Sequence, residues 1–186
     1  MRNVWMNTLA WVAAVLVALT LAFAAPTESG VMGRMPSLQT KLLDQRPINL
    51  PEDLGSDRTL ALISFQRGHR EEVESWITGL QLRQDSSIHW VRMPVLDDPG
   101  STAGRSEIEH RLRVRYGADA SGAISASVVP VFTDRNAFVR SAGLNGIDRA
   151  YAVVLNRRGE VLARVEGQFD PGKAATLRET LRGNAM

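Results

Sequence analysis

The chain has 186 residues, of which 44% are hydrophobic, which suits one cored domain with a short extra segment. Its 22 Lys and Arg against 20 Asp and Glu leave a formal net charge of +2 at pH 7, a balance that does not suggest a nucleic-acid binder. It has no cysteine, which excludes disulfides, thiolate nucleophiles, iron–sulfur clusters and cysteine-bound zinc.

Residues 1–25 open with Arg2, followed by a long apolar run. The run ends in Ala22-Phe23-Ala24, a small-x-small pattern just before Ala25-Pro26. These are the parts of a secretory signal peptide. An uncleaved N-terminal membrane anchor is the alternative, since about twenty apolar residues span a bilayer. Trp5 and Trp11 would then sit near one interface. With Arg2 held inside, both readings place the rest of the chain in the periplasm, soluble after cleavage or anchored to the inner membrane.

Residues 26–50 are rich in turn formers and read as a linker, with Leu38, Leu42 and Leu43 fitting a short helical turn. Residues 51–186 read as the domain. Thr59–Phe65 is a continuous apolar run, as in a central strand covered on both faces. A loop at Gln66-Arg67-Gly68 leads into a helix over Arg70–Gln84, with Val73, Trp76, Ile77 and Leu80 three and four apart. Trp76 and Trp90 are expected in the core.

Ile88–Leu96 reads as a second strand, ended by Asp97-Asp98-Pro99-Gly100. Thr102–Tyr116 reads as a helix, with Ile108, Leu112 and Tyr116 one per turn on one face. Gly117–Ala126 is small and polar, as in a loop. Ser127–Thr133 reads as a third strand, placed at a sheet edge by Pro130. Asp134 caps a short helix over Arg135–Ser141, which Gly143 closes. Ala150–Leu155 and Glu160–Val165 form a hairpin around Asn156-Arg157-Arg158-Gly159. Asp170-Pro171-Gly172 starts a last helix through Leu181. Alternating strands and helices followed by a hairpin imply a mixed α/β sheet with helices on both faces.

Three stretches carry a family resemblance: Leu62-Ile63-Ser64-Phe65 with its loop and helix, Val131-Phe132-Thr133-Asp134 with its short helix, and the hairpin from Tyr151 to Val161. Together they resemble the thioredoxin-like superfamily over about Pro51–Leu181, in the larger variant of peroxiredoxin-like and membrane-anchored proteins, which carries a strand-helix insert. The resemblance implies a reactive cysteine in the loop and first turn after the first strand. Here that stretch is Gln66-Arg67-Gly68-His69-Arg70-Glu71-Glu72. It also implies a cis-proline before the hairpin, where this chain has Ala150. A cis peptide without proline costs about 2.5–4 kcal/mol. Phe65, Glu72–Ile77, Met93-Pro94-Val95-Leu96 and the hairpin are similar to the mitochondrial ATP-synthase assembly factor of thioredoxin-like fold. That similarity implies a membrane-associated chaperone for a proton-channel subunit. The mitochondrial family works on the matrix side, whereas this leader points to export.

The surface expected to bind is the helix N-terminus at Gln66, Arg67, Gly68, His69 and Arg70. Free backbone N–H groups and the helix dipole favour an anion there. Solvated basic residues, with Glu71 and Glu72 compensating the dipole, are the alternative. No catalytic residue is expected: Ser64 and His69 lack a nucleophile-elbow pattern, and Glu71, Glu72 and Glu74 are too close in sequence to face one pocket. Glu71 and Glu74 fit a charged solvent face. Arg111, Arg113 and Arg115 fit either contact with acidic headgroups or a salt-bridged helix face. His69, His89 and His110 have no metal-ligand spacing, and neither a metal nor another cofactor is expected.

The expected role is a non-catalytic binding or assembly factor for a protein partner in the membrane or envelope. A cysteine-independent enzyme, or an anionic-ligand-binding protein on the same fold, is the alternative, and an anchored scaffold with an uncleaved leader is a third reading.

Overall fold

Two short strands precede the region expected as the domain. In a computed structural model, which describes residues 31–116 and 127–183, β1 (Leu38–Lys41) and β2 (Pro47–Leu50) pair antiparallel. The leader at residues 1–25 and the loop at 117–126 lie outside the described residues. The helical turn expected at Leu38, Leu42 and Leu43 is a strand instead. Its side chains alternate in burial, and the chain reverses at Gln45, whose φ is 72°. The leucines do not share a helix face, because Leu42 enters one core cluster and Leu43 another. Residues 31–50, expected as linker, also supply Met35 and Leu50 to the core, both at most 2% exposed.

The main sheet has five strands: β3 (Arg58–Ser64), β4 (Trp90–Leu96), β5 (Val131–Phe132), β6 (Tyr151–Asn156) and β7 (Val161–Glu166). Their order is β5-β4-β3-β6-β7. β3 runs parallel to β4 and β4 to β5, whereas β6 is antiparallel to both β3 and β7. The edge position expected from Pro130 therefore holds for β5. Among the described residues four α-helices flank the sheet: α1 (Arg70–Gly79), α2 (Thr102–Tyr116), α3 (Arg135–Ser141) and α4 (Pro171–Arg182).

The five inner residues of β3 are all buried because each face of the sheet is covered. Ala61 and Ile63 pack with Phe138 and Val139 of α3 and with the N-terminal hairpin. Leu60 and Leu62 pack on the other face with Val73, Trp76 and Ile77 of α1 and Leu177 of α4. α2 lies over the β4–β5 margin, where Leu112 joins Leu43 and Val128, flanked by Ile108 and Tyr116. That is the face its sequence spacing implied.

α1 is shorter than expected. It stops at Gly79, and Gln81 takes a φ of 56°, so Leu80 and Leu82 are buried from a turn rather than from helix. Trp76 is fully buried, but Trp90 is only half-buried at the margin. Asp134 caps α3 as expected, accepting the Ala137 N–H at 2.9 Å. Asp134→Ala is expected to lower the free energy of urea unfolding by about 1 kcal/mol, since this capping bond would be lost.

Candidate functional site

β3 delivers the chain to the site. Ser64 ends the strand, and Phe65 anchors the turn in the core, edge-to-face with Phe138 at 6.3 Å and Tyr151 at 6.2 Å. Gln66 is extended, a single 3-10 turn covers Arg67–His69, and α1 follows at once. The turn is tied down at several points. The Phe65 N–H donates to Nδ1 of His69 at 3.3 Å, and Nη1 of Arg135 donates to the Phe65 carbonyl at 3.2 Å. Nε2 of Gln66 donates to the Ile147 carbonyl at 3.3 Å.

These ties sort the five residues expected to bind. His69 is 5% exposed and its acceptor nitrogen is taken by backbone, so it faces the core rather than a ligand. The same bond removes it as a base for Ser64. Gln66, Arg67, Gly68 and Arg70 are exposed. The nearby glutamates diverge. Glu72 accepts the Ala150 N–H at 2.7 Å and pairs with Arg149, at the place where the resemblance implied a cis-proline. The cis peptide bond among the described residues is Leu50–Pro51. Glu74, expected on a solvent face, instead pairs with Arg92 at 2.7 Å and Arg83 at 2.9 Å.

Between α1 and α2 lies a cleft of about 130 Å³ at the C-terminal ends of β3 and β4. Arg67, Arg70, Arg92 and Arg115 line it together with Ser64 and Gln66, and among the described residues no carboxylate does. Its apolar walls come from Phe65, Val73, Pro94, Leu96, Leu112 and Tyr116. Among the described residues, Arg67, Arg70 and Arg115 have no carboxylate partner.

Arg92 differs from the other three. Its side chain is 5% exposed. Its guanidinium lies 5.3 Å from the Tyr116 ring and 5.9 Å from the Trp90 ring. Among the described residues its Nε has no hydrogen-bond partner. Partial burial pushes the Glu74 carboxyl up, but the Arg92 hydrogen bond and charge, with those of Arg83, hold it below the usual carboxylate range.

Sequence reasoning missed Arg92 and its juxtaposition with Arg115. The available signal was alternation: Val91, Met93 and Val95 face one cluster, so Arg92 must share the opposite face with Trp90, Pro94 and Leu96. The arrangement offers guanidinium and amide donors beside Ser64. It can hold and orient an acceptor.

A larger cavity of about 580 Å³ lies at the opposite end of β3. Asp57 and Asp85 line it with Arg58, Arg178 and Arg182, so charges of both signs are mixed there. Among the described residues no group of three or more His, Asp or Glu is placed to hold a metal ion, and no helix is long and apolar enough to cross a membrane.

No protein-family model and no curated protein matches the chain. Solved structures do. A candidate electron transfer protein of Aquifex aeolicus VF5 aligns with TM-score 0.56 and 14% identity, over 82% of this chain and 97% of that one. The exposed lipoprotein thioredoxin of Streptococcus pneumoniae strain TIGR4 aligns with TM-score 0.50 and 12% identity, over 79% and 98%. BsSco, a member of the Sco family of cytochrome c oxidase assembly proteins, aligns with TM-score 0.51 and 11% identity, over 81% and 92%. The chain therefore has a thioredoxin-like fold without cysteine.

Proposed function

We propose that this chain is a non-catalytic thioredoxin-like protein of the cell envelope, a binding or assembly factor for a membrane or envelope partner. The observation that carries this reading is the turn after β3. Where the fold's redox members hold a thiol, this chain presents a cationic surface of Gln66, Arg67, Gly68 and Arg70 on a turn held by hydrogen bonds at Phe65, Gln66 and His69. A turn held in this way loses little backbone entropy on docking, which suits recognition. The apolar leader expected at residues 1–25 and a fold shared with a member of an assembly-protein family support the same reading.

The test is crosslinking in native cells, followed by affinity purification of the tagged full chain and mass spectrometry. The wild type is expected to enrich a defined envelope or membrane protein, and Arg67→Glu with Arg70→Glu is expected to lose it. Enrichment of ATP-synthase membrane subunits would narrow the partner to that of the resembled assembly factor. Equal enrichment by wild type and double variant would sink the assignment of this surface.

A further inference from the structure

We propose that the cleft between α1 and α2 is a phosphate site, taking a phosphate or phosphomonoester dianion on Arg67, Arg70, Arg92 and Arg115. This inference rests on the reading of the α1 end as the binding face and names the chemistry of what binds there. The first support is the unfinished state of Arg92. A guanidinium 5% exposed needs hydrogen bonds and countercharge to offset its desolvation. It has one carboxylate, Glu74, which is shared with Arg83, and its Nε is unpartnered among the described residues. The buried guanidinium is thus paired only to a carboxylate it shares, and three exposed arginines without a carboxylate partner among the described residues line the same cleft.

The second support is convergence. Arg67 and Arg70 come from the first turns at α1, Arg92 from the middle of β4 and Arg115 from the end of α2. Three separate elements place fork-shaped donors on one small volume, and Glu71 and Glu72 do not line it. A cleft of about 130 Å³ accommodates one oxyanion group, with any substituent leaving toward solvent. Several guanidiniums match the many acceptor lone pairs and double charge of phosphate better than the two oxygens of one carboxylate. The amino end of the ten-residue α1 adds its dipole to the same preference.

Calorimetric titration of the full chain with inorganic phosphate, and with acetate as the singly charged comparison, tests the inference. Phosphate is expected to bind at least about tenfold more tightly than acetate, the worth of one further charge-assisted hydrogen bond. Arg115→Gln, an exposed helix substitution that leaves the circular dichroism unchanged, is expected to weaken phosphate binding by about tenfold. Arg67→Gln serves as an independent check, because substitution of the buried Arg92 perturbs folding as well. Flotation with phosphatidylcholine vesicles, with and without phosphatidic acid, separates the sources. Capture that needs phosphatidic acid and is competed by inorganic phosphate assigns a lipid headgroup. Saturable phosphate binding without capture assigns a soluble phosphate compound. Absence of saturable phosphate binding, or binding unchanged in both variants, overturns the inference. If phosphate binding is absent while the crosslinked partner is still lost in the Arg67→Glu, Arg70→Glu variant, the phosphate site alone has failed. If phosphate binds as expected and that variant keeps every partner, the phosphate site stands and the protein-docking role of this face has failed.

Discussion

Trp76→Ala is expected to lower the free energy of unfolding by about 4 kcal/mol, a large fraction of the stability of a domain this size. The indole is fully buried on the inner face of α1, among Leu60, Leu62 and Leu177. Its Nε1–H donates to the Gly167 carbonyl at 2.8 Å, and its ring meets Phe169 edge-to-face at 5.3 Å. Truncation leaves a cavity, since β3 and β6 behind the indole are central strands that cannot collapse into it. It also leaves a carbonyl at the β7–α4 connection without its donor. That connection is fastened to α1 a second time, by the Phe169 N–H on Oγ of Ser75 at 2.9 Å. Trp76→Phe loses the donor but keeps most of the ring volume, so it is expected to cost clearly less. Urea unfolding followed by circular dichroism decides the matter. A loss below about 1 kcal/mol for the alanine variant would mean that the helix is not packed as described.

The contrast between Trp76 and Arg92 shows what the sequence makes legible. Trp76 belongs to a 3.6-residue period with Val73, Ile77 and Leu80, so its burial follows from its neighbours in the chain. The same local logic located α2, the edge strand at Pro130, the Asp134 cap and the hairpin, because each depends on residues a few positions apart. Arg92 depends on Glu74, eighteen positions away on another element, and on Tyr116, which only the folded β4–α2 arrangement brings near. Periodicity carries no information about such partners. The β1–β2 hairpin was hidden for a related reason. Leu38, Leu42 and Leu43 have helical spacing, but their burial is dictated by separate clusters on the folded domain. His69 looked exposed beside arginines, and only its bond to the Phe65 N–H turns it inward. The exposure of Gln66, Arg67, Gly68 and Arg70 after the first strand was therefore legible, while the cleft that Arg92 and Arg115 line beside them was not.

Glu74→Ala is expected to destabilise the chain by about 3 kcal/mol, because it leaves the Arg92 guanidinium buried without its carboxylate. Glu74→Gln is expected to cost less, since an amide oxygen still accepts from Arg92. The pair also links stability to pH. The folded state holds the Glu74 carboxyl below its ordinary value of 4.5, so unfolding at low pH takes up a proton. The contribution of Glu74 is therefore fully present above pH 4.5 and is lost as pH falls through the lower folded value. In the Gln variant that part of the acid loss is expected to disappear, so its stability profile and that of the wild type should converge at low pH. A parallel offset down to the most acid point would mean that Glu74 is not held by Arg92. The double variant Glu74→Ala, Arg92→Met distinguishes a structural pair from a functional one. Replacing both charges by apolar volume is often neutral or stabilising, so the double variant is expected to recover most of the loss from Glu74→Ala. If it does so and no longer binds phosphate, Arg92 is a buried cation whose worth to the molecule lies in the ligand it faces rather than in the stability of the sheet.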